Sequence, residues 1–174
     1  MKKSGFGGAN TKTGLEFENR ASLIAAFNKT PGYSVRGDEI FFSGNKAAQS
    51  LGKHKLYGFL KKHGVDYKAI LSKKLIPDEA LYVSNQKRVF VIEIKFQGTT
   101  GSVDEKLQTS DFKKKQYQKL FRPLGTEVEF IYVLSEWFEK PEYRDVLNYI
   151  RSVGCHYYFQ KLPLAALGLP TSKT

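Results

Sequence analysis

Apolar and polar positions alternate most sharply between residues 76 and 96. In a strand, successive side chains point to opposite faces, so Val89, Val91, Glu93 and Lys95 share one face while Phe90, Ile92, Ile94 and Phe96 take the other. Ile76 to Val83 forms a second strand-like run, joined to the first through Ser84-Asn85-Gln86-Lys87, and the two read as a hairpin. Symmetry about Asn85-Gln86 sets Asp78 directly opposite Glu93. Glu127 to Leu134 predicts a buried strand, and Cys155 to Gln160 a last one.

Helical spacing governs other stretches. Gly14 to Asn28 predicts a helix with Phe17, Ala21, Leu23, Ile24 and Phe27 inward, Thr13 as N-cap and Pro31-Gly32 as its stop. Lys46 to Lys62 predicts another, burying Ala47, Leu51, Leu56, Phe59 and Leu60 and stopping at His63-Gly64. Thr109 to Leu120 and Pro141 to Val153 complete the helices. Tyr33 to Phe42 reads as a strand pair, interrupted by turn residues at Arg36-Gly37-Asp38-Glu39. Residues 1–12 and 163–174 carry no pattern and are expected to be tails around one domain, residues 13–162. The order of elements predicts an α/β sandwich built on a mixed central sheet flanked by helices.

Length agrees with this, because 174 residues suffice for one well-packed domain. No apolar run long enough to span a bilayer is present, and the charged start Met1-Lys2-Lys3 lacks an apolar stretch behind it. No membrane association is therefore expected. A lone Cys155 leaves no intramolecular disulfide framework, which suits a reducing cytoplasm. Charge changes the picture more: 28 Lys and Arg against 17 Asp and Glu give +11. The excess is clustered, between Lys46 and Lys74, where Lys53 and Lys55 lie, and between Lys106 and Arg122. Such patches favour a polyanionic partner through counterion release; the alternative is a solubilising surface.

Two carboxylates facing each other across a ladder are destabilising unless a positive charge lies between them. Asp78 and Glu93 thus point to a divalent cation. Mg²⁺ is the natural choice, since it takes one or two carboxylates, keeps waters and shares its shell with phosphate. The Ile94 carbonyl is a further oxygen donor, and Lys95, on the face of Glu93, is placed to orient a water or accept its proton. Phosphodiester hydrolysis is the reaction such a set predicts.

Pro77-Asp78 followed by Glu93-Ile94-Lys95 resembles the signature of the PD-(D/E)XK nuclease superfamily. The resemblance spans about residues 14–135 and is densest at the hairpin. It implies a restriction-endonuclease-like fold, with Asp78, Glu93 and Lys95 catalytic. Gly14-Leu15-Glu16-Phe17-Glu18 resembles the superfamily's first helix, whose glutamate completes the metal site, which makes Glu18 a catalytic candidate and Glu16 its substitute. Gly101 to Thr109 and Phe112 to Tyr117 resemble the loop and helix that restriction-type members lay along DNA, which implies duplex contacts for Lys106, Gln108, Lys113 and Lys114. A small type II restriction enzyme follows: homodimeric, Mg²⁺-dependent, cytoplasmic, and encoded by a prokaryote or phage. One departure stands out. Repair-type relatives carry Gln four residues before the helix Tyr, whereas Lys113 precedes Tyr117 here.

Each signal has a plainer competitor. Asp78, Glu93 and Lys95 could be salt-bridged charges on an exposed strand face. Glu18 could complement a helix dipole, and Lys113, Lys114, Lys115 and Lys119 could form a solvated helix face. Two other function classes also remain: a structure-selective nuclease such as a junction resolvase or repair enzyme, and a non-catalytic nucleic-acid-binding protein. His54, His63 and His156 lack ligand spacing. Cys155 and His156 are adjacent in a strand and so point apart, which argues against a thiol nucleophile. Neither Gly-rich stretch has phosphate-loop spacing.

Overall fold

The computed structural model of the chain describes residues 14–17, 22–97 and 103–172. Seven strands form one mixed sheet in chain order: β2 (Tyr33–Arg36), β3 (Glu39–Phe42), β4 (Asn45–Ser50), β5 (Glu79–Val83), β6 (Arg88–Lys95), β7 (Glu127–Leu134) and β8 (His156–Phe159). Neighbours from β2 to β6 are antiparallel, whereas β6, β7 and β8 run parallel. Parallel strands need crossovers, and helices supply them. Between β6 and β7 lie α3 (Val103–Leu107) and α4 (Ser110–Phe121); between β7 and β8 lies α5 (Arg144–Ser152).

Both faces of the sheet are covered, which is why β6 and β7 are apolar on both sides. On one face Val89, Val91, Phe130 and Tyr132 pack with Tyr117 and Leu120 of α4, Ile150 of α5, and Leu56 and Leu60 of α2 (Lys55–Lys62). On the other, Phe90, Ile92, Ile131 and Val133 meet Leu23 and Phe27 of α1 (Leu23–Asn28) and a short ribbon formed by β1 (Gly14–Glu16) and β9 (Lys161–Pro163). The architecture is the mixed α/β sandwich that the pattern predicts.

The hairpin register is also as predicted. Glu79 pairs with Ile92 and Val83 with Arg88, which is the symmetric arrangement about Asn85-Gln86, with Lys87 in the left-handed region closing the turn. β5 starts at Glu79, so Asp78 stands just outside the ladder.

Three expectations need correction. Residues 14–28 do not form one helix: Gly14–Glu16 is a strand, and only Leu23–Asn28 is helical, capped by Ser22, whose side chain accepts from the Ala25 N–H at 3.2 Å. A side chain at Gly14 would meet the Leu162 carbonyl oxygen at 2.8 Å, so the ribbon needs glycine there. The expected N-cap Thr13 lies outside the described residues. Residues 46–62 are likewise split, into β4 and α2. Ser43 and Gly44, both with positive φ, make a two-residue turn that folds Asn45 back onto Phe42, and this pairing overrides the helix preference of Ala47-Ala48. Finally, residues 163–172 pack on the core. Leu164, Leu167 and Leu169 are buried, the Tyr33 hydroxyl donates to the Pro170 carbonyl at 2.6 Å, and the Gln86 side-chain amide donates to the carbonyls of Leu167 and Gly168.

Near the start of β7, Glu129 stands 3.5 Å from the Lys114 ammonium, 3.6 Å from His156 and 4.0 Å from Arg88. His156 outweighs partial burial and, with Lys114 and Arg88, holds the carboxyl below the usual glutamate range. A lowered folded value contributes stability above the unfolded pKa and loses it as pH falls through the folded one. Glu129→Gln should therefore cost about 1 kcal/mol or less near neutrality, and the difference from wild type should vanish in acid. Urea midpoints measured across pH check this; a constant difference refutes it.

Candidate active site

The last residues of β6 carry Glu93 and Lys95 beyond the packed centre of the sheet, onto the face covered by α4. Asp78 arrives from the adjacent strand just before β5 begins. Its Oδ2 accepts the Ile94 N–H at 3.0 Å, which fixes the carboxylate beside β6. The Lys95 Nζ lies 2.9 Å from Asp78 Oδ2, 2.9 Å from Glu93 Oε2 and 3.4 Å from the Ile94 carbonyl oxygen. One ammonium thus bridges the two acids. Burial pulls the Lys95 pKa down, but Glu93 and Asp78 together outweigh it and hold the ammonium above the ordinary lysine range. Glu93 is only 4% exposed and has a second cation, the Lys113 Nζ from α4, at 3.0 Å.

Tyr117 and Tyr132 are buried in the same cluster as the strand residues behind Glu93, and burial first, then the charge of Glu93, raises both phenols. Each cation on Glu93 is therefore worth more than it would be in water.

Asp78, Ile94 and Lys95 open onto a cleft of about 430 Å³, lined also by Ser22, Lys53, Glu79, Phe96 and Lys106. Glu93 does not reach this lining; Lys95 does. The sequence therefore placed six side chains in one neighbourhood: Asp78, Glu93, Lys95, Lys53, Lys106 and Lys113. Three others turn elsewhere. Lys55 pairs with Asp38 in the β2–β3 turn, Lys114 donates to the Gly154 carbonyl at 2.6 Å, and Gln108 lines a separate depression with Val146 and Tyr149. Of the first-helix glutamates, Glu18 lies outside the described residues, and Glu16 is an exposed strand residue whose Oε1 is 3.1 Å from Lys161 Nζ.

Comparisons with family models, curated proteins and solved structures find no match. The chemistry of the cleft therefore rests on its own residues.

Among the described residues no cluster of three or more His, Cys, Asp or Glu side chains gathers. Two carboxylate oxygens share one ammonium here, with a backbone carbonyl nearby, and that donor set fits a hard divalent cation that keeps several waters. It does not fit a softer metal, which prefers imidazole or thiolate. Asp78, Glu93 and the Ile94 carbonyl are the groups that would hold it.

Sequence pattern missed Glu79. Its side chain points to the opposite face of the sheet, where Oε1 accepts the Leu23 N–H at 3.1 Å and so ties the start of α1 to β5. Desolvation raises this carboxyl, against the Leu23 N–H and Lys53, which lower it. Gly52 lets the chain pass close by, since a side chain there would meet Glu79 Oε2 at 2.6 Å. An acid next to Asp78 in a strand-like run was the available signal. Glu79→Ala should cost about 1–3 kcal/mol by stranding a buried N–H, with Glu79→Gln losing less because it keeps an acceptor. Equal urea midpoints for wild type and Glu79→Ala would contradict that role.

Proposed function

We propose that the protein is a Mg²⁺-dependent deoxyribonuclease that hydrolyses phosphodiester bonds in double-stranded DNA, resembling small type II restriction endonucleases. One observation carries it: a single ammonium, Lys95, bridges Asp78 and Glu93 at the mouth of a cleft that also holds Lys53 and Lys106. The charges of two acids are balanced where a phosphate can approach.

A bound divalent cation supplies Lewis-acid activation of water and phosphate. Asp78, Glu93 and the Ile94 carbonyl hold it. Lys95 donates to a non-bridging oxygen of the attacked phosphate and offsets charge that grows as water adds to phosphorus. The water oxygen forms the new P–O bond, one ester P–O bond breaks, the leaving oxygen gains a proton and the water's proton passes to solvent. Lys53 and Lys106 bind neighbouring phosphates, which positions the strand without reading its sequence. Two copies acting on the two strands, as a homodimer in a prokaryotic or phage-infected cytoplasm, complete the proposal. Among the described residues no helix is long and apolar enough to cross a membrane.

Incubation with supercoiled plasmid in Mg²⁺ tests it. Nicked and linear products that disappear with EDTA support the assignment, and discrete bands from a sequenced plasmid favour a restriction enzyme. Cleavage confined to branched DNA moves it to the structure-selective class. No cleavage of any of these substrates, with Mg²⁺ or Mn²⁺, leaves a nucleic-acid-binding protein.

A further inference from the structure

A lysine on the inward side of a helix is unusual unless it is paired. On α4 the inward positions are Ser110, Tyr117, Leu120 and Phe121, all buried, and Lys113 lies one helical turn before Tyr117 on the same side. Its Nζ lies 3.0 Å from Glu93 Oε2, and Lys95 Nζ lies 2.9 Å from that same oxygen. Two ammonium groups from two different elements, the β6 floor and the α4 wall, thus converge on one buried carboxylate oxygen.

Their anchoring differs. Lys95 also contacts Asp78 and the Ile94 carbonyl, whereas among the described carboxylates Lys113 is tied to Glu93. Two acids and two lysines make the centre neutral, so a doubly charged ion arriving at Asp78 and Glu93 meets two ammonium groups at short range. Like charges at that separation repel by about 1 kcal/mol even in bulk water and more in a partly buried site. The less anchored ammonium is the one that leaves, and α4, held by its buried residues, keeps it within a lysine's length of the cleft.

We propose that Lys113 is a second phosphate-contacting lysine of this site: it neutralises Glu93 in the cation-free protein and, once Glu93 serves a cation, donates to a non-bridging oxygen of the bound phosphodiester from the α4 side, opposite Lys95. The proposal rests on the nuclease assignment. It makes Lys113 a catalytic residue, and it separates cation binding from phosphate binding, because one side chain opposes the first and supports the second.

Two measurements that do not require cleavage test it: calorimetric titration of the DNA-free protein with Mn²⁺, and salt dependence of duplex DNA binding in Ca²⁺. For Lys113→Gln the Mn²⁺ affinity should rise about tenfold as a competitor is lost, and the salt slope of DNA binding should become shallower by about one unit as a phosphate contact is lost. Single-turnover cleavage in Mg²⁺ should fall about 100-fold, with Lys113→Arg restoring the slope. Lys113→Met, which keeps the aliphatic stem, provides the same readings should the glutamine variant fold poorly. An unchanged Mn²⁺ affinity or an unchanged slope overturns the inference and leaves Lys113 as a structural counter-ion. Failure of wild type to bind Mn²⁺ saturably overturns the nuclease assignment itself, and this inference with it.

Discussion

Lys95→Ala is expected to lower the rate of Mg²⁺-dependent plasmid cleavage on the order of 10²–10³-fold, the effect of removing one charge-stabilising donor from a partly buried centre. The ammonium touches both acids and the cleft, so its loss removes the group that offsets charge at the attacked phosphate. Duplex binding in Ca²⁺ should stay close to wild type, since Lys53, Lys106 and Lys113 remain. Lys95→Arg keeps the charge but not the compact shape, and should recover only part of the rate. Gel assays under single-turnover conditions decide it: equal rates for wild type and Lys95→Ala would remove the residue from the reaction.

Truncation after Pro163 is expected to unfold the protein. Leu164, Leu167 and Leu169 pack with Leu15, Leu23 and Phe90 on the second face of the sheet. Each fully buried leucine contributes about 1.5–3 kcal/mol, so their joint removal costs about 5–9 kcal/mol. That matches the whole stability of an ordinary domain, about 5–15 kcal/mol. Loss of the Tyr33 and Gln86 hydrogen bonds to this segment adds to it. Circular dichroism of the truncated chain is the check; a cooperative melt near the wild-type temperature would show that the segment only decorates the fold.

The elements that could be read from sequence were those whose pattern is long relative to its period. β6 and β7 each show eight strand residues, and the alternation of Val89, Val91, Glu93 and Lys95 fixed both the faces and the meeting of Asp78 with Glu93. α4 was equally plain. Short segments failed because three to six residues cannot distinguish periods of 2 and 3.6: Gly14–Glu16 is held as a strand by β9, and Asn45–Ser50 by a Ser43-Gly44 turn whose hairpin chemistry went unweighed. Leu164, Leu167 and Leu169 fell in a stretch taken for a tail because no regular element announced them.

The site was legible in part for the same reason. Asp78, Glu93 and Lys95 lie on strands with fixed alternation, whereas the destination of a long, flexible lysine depends on the acid it finds. Lys114 finds Glu129 and Lys55 finds Asp38, partners far off in sequence, so composition could count these residues without aiming them. Lys113 differs because helical spacing from Tyr117 already turned it inward.

The β1–β9 ribbon sets an order of events. Glu16 and Lys161, which face each other in it, are 145 positions apart. Closing so long a loop costs entropy that three pairs of strand residues cannot offset until the large sheet has drawn their surroundings together. The ribbon should zip up last. In pulse-labelled refolding, the Phe17 amide, which donates to the Gln160 carbonyl at 3.2 Å, should gain protection from exchange after the amides of β6 and β7; simultaneous protection would put this clasp in the folding nucleus instead.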